Sequence, residues 1–188
     1  VMKKRATLTC KSDDPATLSI EEMRGAYNAE RAWWNEIKPD MHDVFELAIP
    51  GPVREVPVRI YRPLNASDGP TLLYLHGGGW VVGNLDTHDR VMRLLADFSS
   101  ACVVGVDYAL SPEYKFPVAI SEAQAVIEWL QAKGESYSLD SSRLGIGGDS
   151  AGANMAVGVT QLCHQQSPGV IQFLLLYYGA YGLTQSRS

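Results

Sequence analysis

The sequence predicts an α/β fold in which a mostly parallel sheet is flanked by helices. From residue 71 onward, short apolar runs typical of strands alternate with segments whose apolar residues recur at helical spacing. The composition, with 46% hydrophobic and 20% charged residues, is that of a globular domain with one sizeable core. We therefore expect N-terminal cap helices in residues 1–42 and the N-terminal portion of an α/β core in residues 43–188.

The N-terminal segment is predicted to contain a helix from Ser19 to Ile37. Thr17 or Ser19 can cap this helix, and acidic residues occupy its first turn. Its apolar face is wide and aromatic, which is typical either of a cap over a binding site or of a helix packed onto the core. The position of the helix in the sequence is compatible with both interpretations.

Strands are predicted by short runs of β-branched and aromatic residues between turn signals. Val44–Ile49 and Val53–Tyr61 flank a Pro-Gly-Pro turn and indicate an antiparallel hairpin, which a surface loop at Pro63–Pro70 follows. The parallel strands are expected at Thr71–Leu75, Ala101–Asp107, Arg143–Gly148 and Val170–Tyr178.

Three helices are predicted between the parallel strands. The first carries apolar residues from Val91 to Phe98 at helical spacing, and Asp86 or Thr87 can cap it. The second has Pro117 in its first turn and places Ile120, Ala123, Ile127 and Leu130 on one face. The third follows the third parallel strand and runs from about residue 151 to residue 164.

The charge distribution argues against several partners. The net charge is −5 with both signs scattered along the chain, so no basic patch is present to attract nucleic acid or an acidic membrane. The basic N-terminus leads into polar sequence and not into an apolar signal region. Cys10, Cys102 and Cys163 are odd in number and lack metal-ligand spacing, which predicts packed free thiols in a reducing compartment. We therefore expect a cytoplasmic protein without a metal site.

The sequence GGDSAG at residues 147–152 is the strongest chemical signal. A G-x-S-x-G pattern alone is weak, but here it follows an apolar strand and opens a helix of small residues. A sharp strand-to-helix turn of this kind exposes a serine hydroxyl, and Gly148 and Gly152, on either side of Asp149 and Ser150, leave room for the backbone. Ser150 is therefore the predicted nucleophile, with an idle serine on a tight glycine turn as the alternative.

The second signal is the sequence HGGGW at residues 76–80, directly after a predicted strand. A glycine run lets backbone N–H groups approach a substrate oxygen as it becomes an oxyanion, and we expect Gly78, Gly79 and Ala151 to be the donors. A phosphate-binding loop is the alternative, but neither its glycine spacing nor its lysine is present. His76 and Gly77 begin the loop, and His76 is predicted to orient it by hydrogen bonding and not to act as a base.

These two motifs together resemble the hormone-sensitive-lipase-like family of α/β-hydrolase esterases. The resemblance covers about residues 20–183, and the sequences GNLDTHDR at 83–90 and DYALSPE at 107–113 look most like the bacterial acetyl esterase branch. It implies an α/β-hydrolase fold with an N-terminal helical cap, hydrolysis of short-chain acyl esters, no cofactor, a cytoplasmic location and possible homodimers. It also places Asp107, Tyr108 and Glu113 in a signature near the site, where they either support the oxyanion loop or form a buried structural network. We favour the network.

The sequence lacks a downstream acid and base. In this fold both follow the nucleophile, but residues 151–188 contain no Asp or Glu, and their only histidine is His164. His164 lies 14 positions along the predicted helix, roughly 20 Å from Ser150 at 1.5 Å per residue. His42 and His88 precede the nucleophile, so a triad built from them would abandon the order that the fold requires. We therefore expect the triad acid and base in a C-terminal remainder beyond residue 188, and little activity from this chain alone.

Two other functions use the same features. An amidase or a lactonase would have the same nucleophile and oxyanion donors with a differently shaped pocket. A binding protein on the same scaffold, without a base, would capture a small ligand in the former acyl pocket. The sequence does not separate the first two from an esterase, whereas the binding protein is supported only by the missing histidine.

Overall fold

The computed structural model describes residues 18–65 and 69–181, and within them six strands form one sheet. Cys10 and the candidate cap Thr17 lie outside these residues. The strands are β1 (Asp43–Pro50), β2 (Glu55–Arg62), β3 (Thr71–Leu75), β4 (Cys102–Val106), β5 (Leu144–Asp149) and β6 (Ile171–Tyr177). The helices are α1 (Ile20–Trp34), α2 (Asp89–Ser99), α3 (Val118–Lys133) and α4 (Ala151–Gln166), and two short 3₁₀ turns, Gly134–Tyr137 and Ser141–Arg143, precede β5.

The strand order in the sheet is β1-β2-β4-β3-β5-β6. β1 and β2 form the predicted antiparallel hairpin, and β2 is antiparallel to β4, whereas β4, β3, β5 and β6 are parallel to one another. The carboxyl ends of the parallel strands therefore meet at one edge of the sheet. That edge is where sites form in open parallel sheets, and here it holds both the glycine loop and the GGDSAG turn.

Both faces of the central strands are covered, as the continuous apolar runs predicted. On one face, Leu75, Val104 and Ile146 pack with Val126 of α3 and Met155 of α4. On the opposite face, Leu72, Tyr74 and Val103 pack with Met92 and Ala96 of α2. Cys102 and Cys163 are buried free thiols, as expected. Burial of each large apolar side chain contributes about 1.5–3 kcal/mol, so this two-sided core holds the site-forming edge in place.

The helix α1 lies on the surface beside that edge. Its predicted cap is present, since Ser19 Oγ accepts from the Glu22 amide at 3.2 Å and the Glu22 carboxylate accepts from the Ser19 amide at 2.8 Å. The helix ends at Trp34, three residues earlier than predicted, because Asn35 turns its side-chain amide back to the Arg31 carbonyl. No residue of α1 is fully buried.

The predicted cap of α2 is wrong. His88 occupies the cap position without a side-chain hydrogen bond to the helix. Thr87 is instead engaged with Asn84: the amide of Asn84 donates to Thr87 Oγ1, and the amide of Thr87 donates to Asn84 Oδ1, both at 2.9 Å. This reciprocal pair closes a turn before the helix begins. Pro117, expected in the first turn of α3, lies at its cap position.

Strand β6 is less buried than its sequence suggested. The apolar run predicted a strand covered on both faces, but Phe173, Leu174 and Tyr177 are 40%, 43% and 38% exposed. Within the described residues β6 lies at the end of the sheet, with β5 as its one neighbour. No helix of residues 18–65 and 69–181 is long and apolar enough to cross a membrane.

Gly152→Ala is expected to destabilise the protein by about 3 kcal/mol or more, because a Cβ at this position would overlap the carbonyl oxygen of Leu75 in β3. Gly158→Ala in the same helix is the matched control. Its Cβ would have only ordinary contact with Ile120, so the higher helix propensity of alanine should stabilise the protein by up to about 1 kcal/mol. Chemical unfolding of both variants checks this, and equal effects of the two substitutions would contradict the packing argument.

Candidate active site

Ser150 lies in the tight turn between β5 and α4. Its backbone has φ 51° and ψ −116°, a strained conformation for a residue with a side chain and typical of an exposed nucleophile. Gly148 and Gly152, the glycines on either side, both pack against the carbonyl of Leu75. The Ser150 amide donates to the Tyr177 carbonyl at 2.9 Å, so β6 also fixes this turn.

The glycine loop after β3 has the unusual backbone that its composition predicts. Gly78 and Gly79 have φ values of 134° and 60°, and Trp80 has φ 62° despite its large side chain. The amides of Val81 and Val82 both donate to the Gly78 carbonyl, at 3.1 and 3.0 Å, and close the turn. In residues 18–65 and 69–181 the amides of Gly78 and Gly79 have no acceptor, so they are free to bind a substrate oxygen.

Ala151, the third candidate donor, is the first residue of α4. The first amides of a helix have no partner within the helix, and the positive end of the helix dipole lies there. The structure therefore brings together the residues that the sequence singled out for the nucleophile and for the oxyanion donors, in the segments that directly follow the adjacent strands β3 and β5.

Asp149 connects the glycine loop to the Ser150 turn. Its buried carboxylate accepts hydrogen bonds from the Gly77 amide and from the Tyr74 hydroxyl, both at 2.9 Å, and from the Tyr178 hydroxyl at 3.0 Å. His88 Nε2 lies 3.6 Å from the same carboxylate. Burial alone would raise the pKa of Asp149, but the interaction with His88 and the bonds from Tyr74 and Gly77 outweigh it and hold the pKa well below the usual range.

His76 is packed beneath the loop and is not placed to act as a base. Its ring is 2% exposed and stacks on Tyr108 at 4.3 Å and on His88 at 5.3 Å, and its Nδ1 lies 2.8 Å from the Gly77 carbonyl. Burial, followed by the electrostatic effect of the neighbouring His88 side chain, lowers the pKa of His76 to about 3. Within the described part of the chain, Ser150 Oγ has no hydrogen bond to a histidine. The predicted orienting role for His76 thus agrees with its surroundings.

The signature at residues 107–113 contacts the loop, and the buried network predicted for it holds for Tyr108 but not for Glu113. The Tyr108 hydroxyl donates to the His76 carbonyl at 2.6 Å, and the Ser111 amide donates to the Trp80 carbonyl at 2.8 Å. Burial raises the pKa of Asp107. The side chain of Glu113 is 51% exposed and forms an ion pair with Arg24. Loop support therefore describes Tyr108, while Glu113 is no part of a buried network.

Sequence reasoning gave no role to several residues that shape the site. Tyr74, His88 and Tyr178 surround Asp149, and Gly83 (φ 97°) lies so close to His76 that a Cβ would come within 2.6 Å of Nδ1. Gly83 and His88 lie in the segment GNLDTHDR at residues 83–90, whose resemblance to acetyl esterases was the available signal for their role. The described residues contain no group of three or more His, Cys, Asp or Glu that could hold a metal ion.

An apolar cavity of about 410 Å³ opens beside the glycine loop. Gly79 and Trp80 line it on the loop side, and Met155 of α4 also lines it. Phe116 and Ile120 supply much of its remaining apolar surface. A volume of this size is typical of a pocket for the apolar part of a small molecule.

Asp149→Asn is expected to lower the free energy of unfolding at neutral pH by about 1–3 kcal/mol, because the amide is a weaker acceptor for Tyr74 and Gly77 and removes the charge facing His88. The depressed pKa means that the contribution of Asp149 is complete above the unfolded-state pKa of about 4 and is lost as the pH falls toward the folded-state value.

The difference in stability between the two proteins should therefore shrink in acid. Urea unfolding at about pH 7 and about pH 3 measures it. A difference that stays constant or grows in acid would show that the charge of Asp149 does not contribute as described.

Comparison with known proteins places this geometry in a family. A family model described as alpha/beta hydrolase fold matches residues 72–188. Acetyl esterases of Salmonella paratyphi A and Salmonella agona are each 43% identical over 176 residues, which cover 93% of this chain and 54% of the relative. The chain thus spans about half the length of the curated relatives it matches.

Solved structures agree with this assignment. The hyperthermophilic esterase from the archaeon Pyrobaculum calidifontis has a TM-score of 0.89 at 30% identity, with 100% of this chain and 60% of that chain covered. A thermostable carboxylesterase cloned from a metagenomic library has a TM-score of 0.85 at 31% identity, with 93% and 60% covered. The chain therefore belongs to the α/β-hydrolase fold family, as its resemblance to the hormone-sensitive-lipase-like branch indicated.

Proposed function

We propose that this chain supplies the nucleophile and the oxyanion hole of a serine carboxylesterase that hydrolyses short-chain acyl esters, acetyl esters among them. The observation that carries the proposal is the position of Ser150. It lies in a strained turn after β5, and the loop after the adjacent strand β3 contains two glycine amides, those of Gly78 and Gly79, that have no acceptor in the described residues. The relatives named acetyl esterase support the choice of substrate class.

The proposed reaction has two steps. Ser150 Oγ attacks the carbonyl carbon of the ester, and a base takes the hydroxyl proton while the carbonyl oxygen gains negative charge. The amides of Gly78, Gly79 and Ala151 bind that oxyanion. The tetrahedral intermediate then expels the alcohol, which takes the proton from the base, and leaves an acyl group on Ser150. Water, activated by the same base, attacks the acyl-enzyme and releases the acid and free Ser150.

The base and its carboxylate partner are proposed to come from sequence outside these 188 residues. Among residues 18–65 and 69–181, His76 is packed under the loop, and His164 is on the last turn of α4, far from Ser150. The chain covers 54% of its acetyl esterase relatives. In addition, the exposed apolar side chains of β6 favour a further element beside this strand in the complete sheet.

The apolar cavity beside Gly79 is proposed to hold the apolar part of the ester. Gly79 belongs both to the cavity wall and to the proposed oxyanion hole, so a bound carbonyl oxygen would place an adjoining alkyl group at the cavity mouth. The buried free thiols Cys102 and Cys163 support the further proposal that the protein works in the reducing cytoplasm.

Ser150→Ala in the complete protein should lower kcat for p-nitrophenyl acetate by at least about a thousandfold, because no other group can form the acyl-enzyme. Ser142→Ala is the control, since Ser142 precedes β5 at the opposite end of the sheet from Ser150. Near wild-type turnover by the Ser150 variant would refute the proposal. A panel of esters, amides and lactones separates esterase from amidase and lactonase, and tight ligand binding without turnover would favour a binding protein.

Residues 1–188 expressed alone should show less than about a thousandth of the kcat of the complete protein, because an unassisted serine hydroxyl is a poor nucleophile at neutral pH. Circular dichroism establishes that the fragment is folded, and adding the remainder of the protein as a second chain should restore turnover. Comparable activity of the two forms would show that the base lies within these residues.

A further inference from the structure

Arg24 in helix α1 contacts the glycine loop directly. Its Nε donates to the Val81 carbonyl at 2.8 Å, and one of its terminal nitrogens donates to the Ser111 carbonyl at 3.0 Å. Ser111 in turn donates its amide to the Trp80 carbonyl at 2.8 Å. Arg24 therefore joins two consecutive loop residues, Trp80 and Val81, one through Ser111 and the other directly.

Glu113 fixes the orientation of the Arg24 guanidinium. Its two carboxylate oxygens accept from the two terminal nitrogens at 2.8 and 2.7 Å, a bidentate arrangement. Glu113 is half exposed, so the ion pair itself adds little stability. Its geometric effect is larger, because a planar guanidinium that is held through its two terminal nitrogens keeps its Nε–H group directed at the Val81 carbonyl. The hydrogen bonds from Arg24 lower the pKa of Glu113 to about 2, so the pair stays ionised at the pH of ester assays.

The loop needs such contacts because its conformation is unfavourable by itself. Gly78, Gly79 and Trp80 all have positive φ, and a left-handed backbone is unfavourable for a residue with a side chain as large as that of tryptophan. Val81 is one of the two residues whose amides close the turn onto the Gly78 carbonyl. A contact that holds the Val81 carbonyl therefore acts on the peptide unit next to the turn that presents the Gly78 and Gly79 amides.

We infer that Arg24 is a positioning residue for the oxyanion hole, acting through Val81 and Ser111 and oriented by Glu113. This inference rests on the proposed esterase function and extends the active site to helix α1. Lysine cannot replace arginine here, because one ammonium cannot bind Glu113 in bidentate fashion and also reach Val81 and Ser111.

Arg24→Lys in the complete protein is the test, with p-nitrophenyl acetate as substrate. The sites competent for reaction are counted with an aryl phosphonate that esterifies Ser150. We expect kcat per counted site to fall about tenfold to a hundredfold while KM changes less than about threefold, because the displaced amides stabilise the transition state more than the bound ester. Glu113→Gln, which removes the charge but not the side chain, should give a smaller loss of the same kind.

Arg143→Lys is the matched control. Arg143 also binds a carboxylate, that of Asp140 at 2.6 Å, but it lies before β5 at the far end of the sheet, so its kcat per site should stay within about twofold of wild type. Hydrogen exchange of the peptide containing residues 76–83 should be faster in Arg24→Lys than in Arg143→Lys.

The outcomes separate this inference from the proposed function. Wild-type kcat per counted site in Arg24→Lys, with only a lower melting temperature, would assign Arg24 a purely structural role and overturn the inference. Unchanged exchange of residues 76–83 would overturn it as well. Retention of turnover by Ser150→Ala would instead overturn the proposed function itself.

Discussion

The site depends on one desolvated carboxylate, that of Asp149. It binds the first amide of the glycine loop while its own backbone leads into the Ser150 turn, so one side chain sets the distance between the two. Each of these segments is strained, since Ser150 and Trp80 both have positive φ, and conformations of this kind cost of order 1–3 kcal/mol each. The surrounding hydrogen bonds must offset that cost.

The loop is held from two further sides, and each contact comes from a different element. Tyr108, just after β4, binds the carbonyl of His76 at the start of the loop. Arg24 of α1 binds the carbonyl of Val81 at its end. In both contacts a carbonyl of the loop accepts the hydrogen bond, whereas the amides of Gly78 and Gly79 have no acceptor among the described residues. Donors fixed in advance in this way need no reorganisation when negative charge develops near them.

The sequence indicated those features that depend on local pattern. The strands, the hairpin, the Ser150 turn and the glycine loop each have a signature within a few residues, and all are present. The partners of Asp149 could not be predicted, because Tyr74 lies 75 positions away and Tyr178 lies 29 away. The cap predicted at Asp86 or Thr87 failed for a local reason, which concerns Thr87. Asn84 competes for its hydroxyl, and helix-capping rules do not include such a competitor.

The difference between local features and contacts from distant residues also explains which part of the proposed reaction these residues can perform. The proposed oxyanion donors are backbone amides, so they need only the loop, the helix start and the contacts that hold them. A base must be a side chain at hydrogen-bond distance from Ser150 Oγ, and no histidine of the described residues has that position. In serine hydrolases the oxyanion hole and substrate binding retain about 10³–10⁴-fold catalysis when the triad is removed. In the proposed mechanism, the described residues stabilise the negative charge of the oxyanion. The transfer of the Ser150 proton requires a base that they do not include.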